Sequence, residues 1–203
     1  MNIIENNFSW NGSLEKRSRA DYIILHHRAG EGDAKSIHAQ HIKNGWSGIG
    51  YHFYIRKDGS IFRGRPIDSV GAHTLGKNAV SIGICFEGNY HSTDKNMPKA
   101  QLESGRALIA YLKELFKSAQ LKKHSDFQAT ACPGKYFPFD EVTAPTTILL
   151  ETPEEITKEL SKKHFNIDDP KGFILALTKA KKENSPMYWG YYKLVNPTKN
   201  RLK

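Results

Sequence analysis

The run Tyr22-Ile23-Ile24-Leu25, set between Asp21 and His27, constrains the fold more than any other stretch of the chain. Its Ile and Tyr content and its length are those of a buried strand, and it is far shorter than the ~20 apolar residues that span a bilayer. No stretch of the sequence reaches that length, so no integral membrane segment is expected. With 203 residues, the chain has room for one domain of ordinary size, or for one domain and a small appendage. A composition of 38% hydrophobic and 25% charged residues suits a chain that folds around a core, which sets aside disorder as the main state.

Short-range signals fill in the elements around that strand. The opening segment to Arg19 is polar and turn-rich. Asp33 is a good N-cap for a helix over Ala34–Lys43, and Asn44-Gly45 is a good stop. Tyr51–Lys57 and Ser60–Arg63 flank Asp58-Gly59, which reads as a two-residue hairpin turn. Gly64 to Ala79 reads as an ordered loop and Val80–Glu87 as another strand. Pro98 suits a first helical turn, and Leu102, Ile109, Leu112 and Phe116 keep helical spacing through about Ser118, so a long helix should cover the sheet. Lys122 to Pro138 reads as loop, because Pro133 and Gly134 rule out continuous helix.

Composition shifts to Pro, Thr and acidic residues after Phe137, which places a domain boundary near Pro145. Beyond it, Thr152-Pro153-Glu154-Glu155 is a capping box, and Asp169-Pro170 opens a second helix through about Lys182. The division is therefore 1–145 for the main domain and 146–203 for a small helical unit ending in the aromatic run Tyr188–Tyr192. Those aromatics can stack on sugar rings or pack the tail onto the main domain.

Four features carry chemistry. His26 ends the first strand, where the chain leaves the sheet. His124 precedes Cys132-Pro133-Gly134 by a loop that can fold back, bringing imidazole and thiolate to one metal with a position left open. Gly50-Tyr51-His52-Phe53 puts a tyrosine at the start of a hairpin strand. Gly71-Ala72-His73-Thr74, followed by Asn78, is a polar cluster in a loop. Each has a bland reading as structural histidine, buried cysteine, edge aromatic or ordinary loop. Cys85 and Cys132 both read as thiols, and His38 and His41 as a solvated helix face.

Taken in order, the Leu-His-His strand end, the Gly-Tyr-His-Phe hairpin, the Gly-Ala-His-Thr loop with Asn78, the Ser81-Ile82-Gly83-Ile84 strand and the His-x7-Cys-Pro-Gly loop form one pattern. In this order they closely resemble the zinc-dependent N-acetylmuramoyl-L-alanine amidases, the family of the phage lysozyme-like amidases and animal peptidoglycan recognition proteins. The resemblance covers about Asp21 to Phe139 and does not reach the tail. It implies an α/β fold, a central mixed β-sheet flanked by helices on both faces, with Zn²⁺ at the floor of a groove. Carried over residue by residue, it makes His26, His124 and Cys132 the metal ligands, Tyr51 and Thr130 catalytic groups, and His73, Thr74 and Asn78 substrate-binding residues. His27 points to the other side of its strand and stays structural. Cys85 stands where some relatives carry a glutamate base, and Glu87 lies two residues further along the same face.

The implied reaction is hydrolysis of the amide joining N-acetylmuramic acid to L-alanine of the stem peptide, by zinc-activated water. A non-catalytic peptidoglycan binder on the same fold is the alternative, although such members tend to lose the cysteine that this sequence keeps. A compact amidase with a small C-terminal unit and no recognisable signal peptide resembles a phage or prophage endolysin. Such a protein is made in the bacterial cytoplasm and reaches the wall through a holin or on lysis. The formal charge of +9 suits an anionic cell wall. No basic recognition helix or RNA-binding signature points to nucleic acid.

Overall fold

A computed structural model describes residues 2–144, 153–162 and 169–182, and the chain divides into two compact units, Met1–Pro145 and Thr146–Lys203. The first is built on a six-stranded mixed sheet. Its strands are β1 (Ile3–Ile4), β2 (Tyr22–His27), β3 (Phe53–Ile55), β4 (Ile61–Arg63), β5 (Ser81–Phe86) and β6 (Gln120–Lys123). They lie in the order β1-β4-β3-β5-β2-β6. β2 lies between β5 and β6 and is parallel to both, β3 is parallel to β5, and β3 and β4 form the antiparallel hairpin.

Alternation along these strands sorts the side chains onto two faces. Ile23, Leu25, Phe53, Ile55, Ile82, Ile84 and Phe86 meet Leu108, Ile109 and Leu112 of α2 (Lys99–Leu115) and Val142 of α3 (Phe139–Thr143). On the opposite face Tyr54 and Cys85 meet Ala34 and Ile37 of α1 (Ala34–Lys43). Helices thus cover both faces. His26 pairs with Cys85 in the β2–β5 register and shares the α1 face, while His27 points the other way. There His27 Nδ1 accepts the Tyr90 amide at 3.0 Å, the structural role expected of it.

Three sequence expectations are corrected. The hairpin has a three-residue loop: the Gly59 amide donates to the Arg56 carbonyl, and the Arg56 amide to the Ser60 carbonyl. Gly59 takes φ +88°, the left-handed conformation that lets a turn of ordinary hand join twisted strands through a bulge. Lys122 and Lys123 are strand, not loop. β6 lies at the sheet edge, where lysines are tolerated and discourage further pairing, and this hides the apolar signal of a strand. The polar opening segment contributes β1, a two-residue edge strand pairing Ile3 with Ile61.

In the second unit, α4 (Pro153–Lys162) and α5 (Pro170–Lys182) pack together, with Ile156, Leu160 and Leu177 buried. Thr152 of the expected capping box and the aromatic run Tyr188–Tyr192 lie outside the described residues.

Candidate metal centre and cleft

The edge strand β6 builds the site. Its parallel pairing carries Leu25 beside Lys123, so the next residues, His26 still within β2 and His124 just past the end of β6, stand side by side. Their ring centroids are 4.5 Å apart. The chain then turns through a short 3₁₀ segment, His124–Asp126, and folds back until the Ser125 amide donates to the Cys132 carbonyl at 2.9 Å. This return puts Cys132 Sγ 3.7 Å from His26 Nδ1 and 3.4 Å from the His27 amide that donates to it. One ligand-type atom from each of His26, His124 and Cys132 lies within 4.8 Å of the other two.

The electrostatics of this group fit a soft, tetrahedral cation. His124 Nε2 is buried with no hydrogen-bond partner among the described residues, and in the tautomer that leaves this nitrogen unprotonated its lone pair is one a metal would take up. Burial, with His124 and His27 nearby, holds His26 well below the ordinary histidine value, and burial also lowers His124. Both imidazoles are therefore neutral, the form that binds metal. Burial pushes the Cys132 thiol up to about 11, against the pull of the His27 amide, so metal capture there has to release a proton. Two neutral nitrogens and one thiolate are a zinc-type donor set.

Tyr51 stands beside this group, its ring centroid 5.2 Å from that of His26. Burial, with the Cys85 and Cys132 thiols near it, pushes its phenol well above the ordinary tyrosine value. Tyr51 thus keeps its proton and can donate. Thr130 is exposed, and its Oγ1 accepts the Cys132 amide at 3.2 Å, which shapes the ligand loop. Glu87 is committed to structure: its carboxylate accepts the Gly32 and Lys57 amides at 3.1 and 2.9 Å and pairs with Arg56.

A cleft of about 460 Å³ opens over the centre. Tyr51, His73, Thr74, Asn78 and His124 line it, and so do His41 and three residues that sequence reasoning did not single out, Trp46, Leu75 and Gln128. The solvated-face reading of the α1 histidines is corrected. His38 is buried, stacked on Phe8 at 4.3 Å between ring centroids and accepting the Ile49 amide, because the opening segment folds over α1. His41 accepts the Gly50 amide and packs against Trp46. The sequence signal for this wall of the cleft was a tryptophan set among glycines, Gly45-Trp46-Ser47-Gly48, and the structure leaves that tryptophan 44% exposed. Asn78 Oδ1 accepts both the His73 and Thr74 amides at 2.8 Å, holding the loop that carries them.

A sequence profile described as N-acetylmuramoyl-L-alanine amidase matches residues 16–135. The endolysin of Klebsiella phage KP32 is 34% identical over 126 residues, covering 59% of this chain and 83% of the relative. Among solved structures, the N-acetylmuramoyl-L-alanine amidase LysC from Clostridium intestinale URNW superposes with a TM-score of 0.68 at 41% identity, over 71% of this chain and 96% of that one. Drosophila PGRP-LB superposes with a TM-score of 0.62 at 26% identity, over 70% and 93%.

Proposed function

The chain belongs to the N-acetylmuramoyl-L-alanine amidase family, and from that premise we propose that it works as a zinc enzyme with His26, His124 and Cys132 as the ligands. It is a peptidoglycan hydrolase of the endolysin kind, cleaving the amide between N-acetylmuramic acid and L-alanine of the stem peptide. The observation that carries the zinc reading is the convergence of three soft or borderline donors within 4.8 Å, one of them the unpartnered His124 Nε2.

Zinc bound there supplies Lewis acidity, lowering the pKa of water from ~16 towards ~7 and polarising the scissile carbonyl. The protein's own groups do the rest. Tyr51, protonated and beside His26, donates a hydrogen bond to the carbonyl oxygen as negative charge develops, and such a donor contributes about 3 kcal/mol of barrier lowering. Thr130 holds the Cys132 loop and offers its hydroxyl proton to the same oxygen. The His73–Asn78 loop and the Trp46 wall bind the glycopeptide along the cleft. The retained cysteine and tyrosine favour this over a non-catalytic peptidoglycan binder.

The second unit, whose α5 carries Lys171, Lys179, Lys181 and Lys182 and no acidic residue, concentrates the enzyme on the anionic wall, which the chain reaches from the cytoplasm after holin action or lysis. The experiment on the site is Cys132→Ser. A neutral hydroxyl cannot match a thiolate, so stoichiometric zinc and activity should both disappear. Full activity in that variant, with less than one zinc per wild-type chain, would overturn the ligand set.

A further inference from the structure

The loop that carries His73 and Thr74 turns part of its chemistry inward. His73 is 8% and Thr74 1% exposed. His73 Nδ1 lies 3.1 Å from His26 Nε2, and Thr74 Oγ1 sits between the rings, 3.0 Å from His73 Nδ1 and 3.4 Å from His26 Nε2. On the far side, His73 Nε2 lies 3.4 Å from Ser81 Oγ, whose hydroxyl donates to the Lys77 carbonyl at 2.7 Å.

This chain of contacts has a direction. A carbonyl oxygen only accepts, so the single proton of Ser81 is committed to Lys77, and Ser81 Oγ accepts the Nε2–H of His73. A neutral imidazole has one ring proton, which leaves His73 Nδ1 bare. Bare Nδ1 accepts the Nε2–H of His26, and Thr74 fits the same order, accepting from His26 and donating to His73. His26 in turn has its lone pair on Nδ1, the atom 3.7 Å from Cys132 Sγ. We infer that His73, anchored through Ser81 to the Lys77 carbonyl, is a positioning residue that fixes His26 as its Nε2–H tautomer and aims Nδ1 at the metal.

The fold makes room for this ring at a cost to the strand. A Cβ at Gly83 would lie 2.6 Å from His73 Cγ, and one at Gly71 2.5 Å from His73 Cδ2. Glycine in the middle of β5 weakens a strand and marks a close approach; here the approach is the seat of the imidazole. Partners on the outer nitrogen of a metal-binding histidine set its tautomer and orientation, and their loss typically costs ~10–100-fold in metal affinity.

The inference rests on the zinc reading, and its test separates the two. In the metal-free full-length protein, ¹⁵N spectra of the imidazoles should show His26 protonated at Nε2; protonation at Nδ1 would overturn the inference whether or not zinc binds. Zinc competition against a chelator supplies the second readout. His73→Leu should weaken zinc by roughly 10–100-fold, while His73→Asn, whose Oδ1 can take the place of Nδ1, should recover most of that loss. A His73→Leu protein that holds zinc as tightly as the wild type would overturn it. Less than one zinc per wild-type chain would count against the ligand set instead, and the tautomer spectrum would then decide the inference alone.

Discussion

Acidification should destabilise this fold through His52, and the size of the effect follows from the structure. His52 is fully buried; its Nε2–H donates to the Ser69 carbonyl at 2.9 Å and its Nδ1 accepts the Gly83 amide at 3.0 Å. A second ring proton would sit where the Gly83 N–H already points, and its charge would be out of water. Burial pushes His52 down to about 3, with Arg17, Arg65 and Arg63 adding to the shift and the Ser69 carbonyl opposing it. The folded value lies below the ordinary 6.5, so the unfolded chain takes the proton first as pH falls. Stability from this group is complete above about pH 6.5 and is lost progressively towards pH 3, at about 1.4 kcal/mol per unit. By pH 4.5, two units into that window, the loss is about 3 kcal/mol. The comparison variant is His52→Gln, which cannot titrate. Urea unfolding of the zinc-loaded proteins at pH 7.5 and 4.5 should show the wild type losing about 3 kcal/mol more than the variant. Other titrating groups, the metal ligands included, contribute to both proteins and cancel in the difference. Equal losses would refute the argument that His52 is held neutral by burial and by its two backbone partners.

Two further outcomes are expected. Tyr51→Phe should keep zinc and fold yet lose about 100-fold in kcat on a soluble muramyl peptide, and Thr130→Ala should do the same more mildly; unchanged kcat in both would leave the developing charge without either donor. A chain ending at Pro145 should keep its turnover of soluble fragments and lose much of its lysis of whole cells, the remainder falling steeply on dilution; equal lysis by the shortened chain would remove the wall-targeting role of the second unit.

Much of the fold was legible because its central strands and α1 obey local rules. The Tyr22–Leu25 run and the Ser81–Phe86 strand have the apolar density of buried strands, and Asp33 caps α1 as its side chain predicts, accepting the Ser36 amide at 2.7 Å. The edges were not legible. β6 carries lysines and β1 is two residues long, so neither has a periodic signal, and both exist only through pairing with distant residues. That gap matters for the site, since β6 is what sets His124 beside His26. The order of His26, Tyr51, His73, His124 and Cys132 along the chain pointed to residues that the structure brings together, but the sequence could not reveal that His73 faces His26. Nor could it show that His38 is roofed by Phe8 and Trp10, contacts made across about thirty residues of chain.

The most direct test of the account is the appearance of new L-alanine amino termini from purified peptidoglycan, measured before chelation, after it, and after zinc is restored. The account predicts amino termini without new reducing sugars, their loss when zinc is stripped, and their return in proportion to zinc bound, up to one ion per chain. Amino termini released at an undiminished rate by metal-free protein, or reducing sugars in their place, would contradict it.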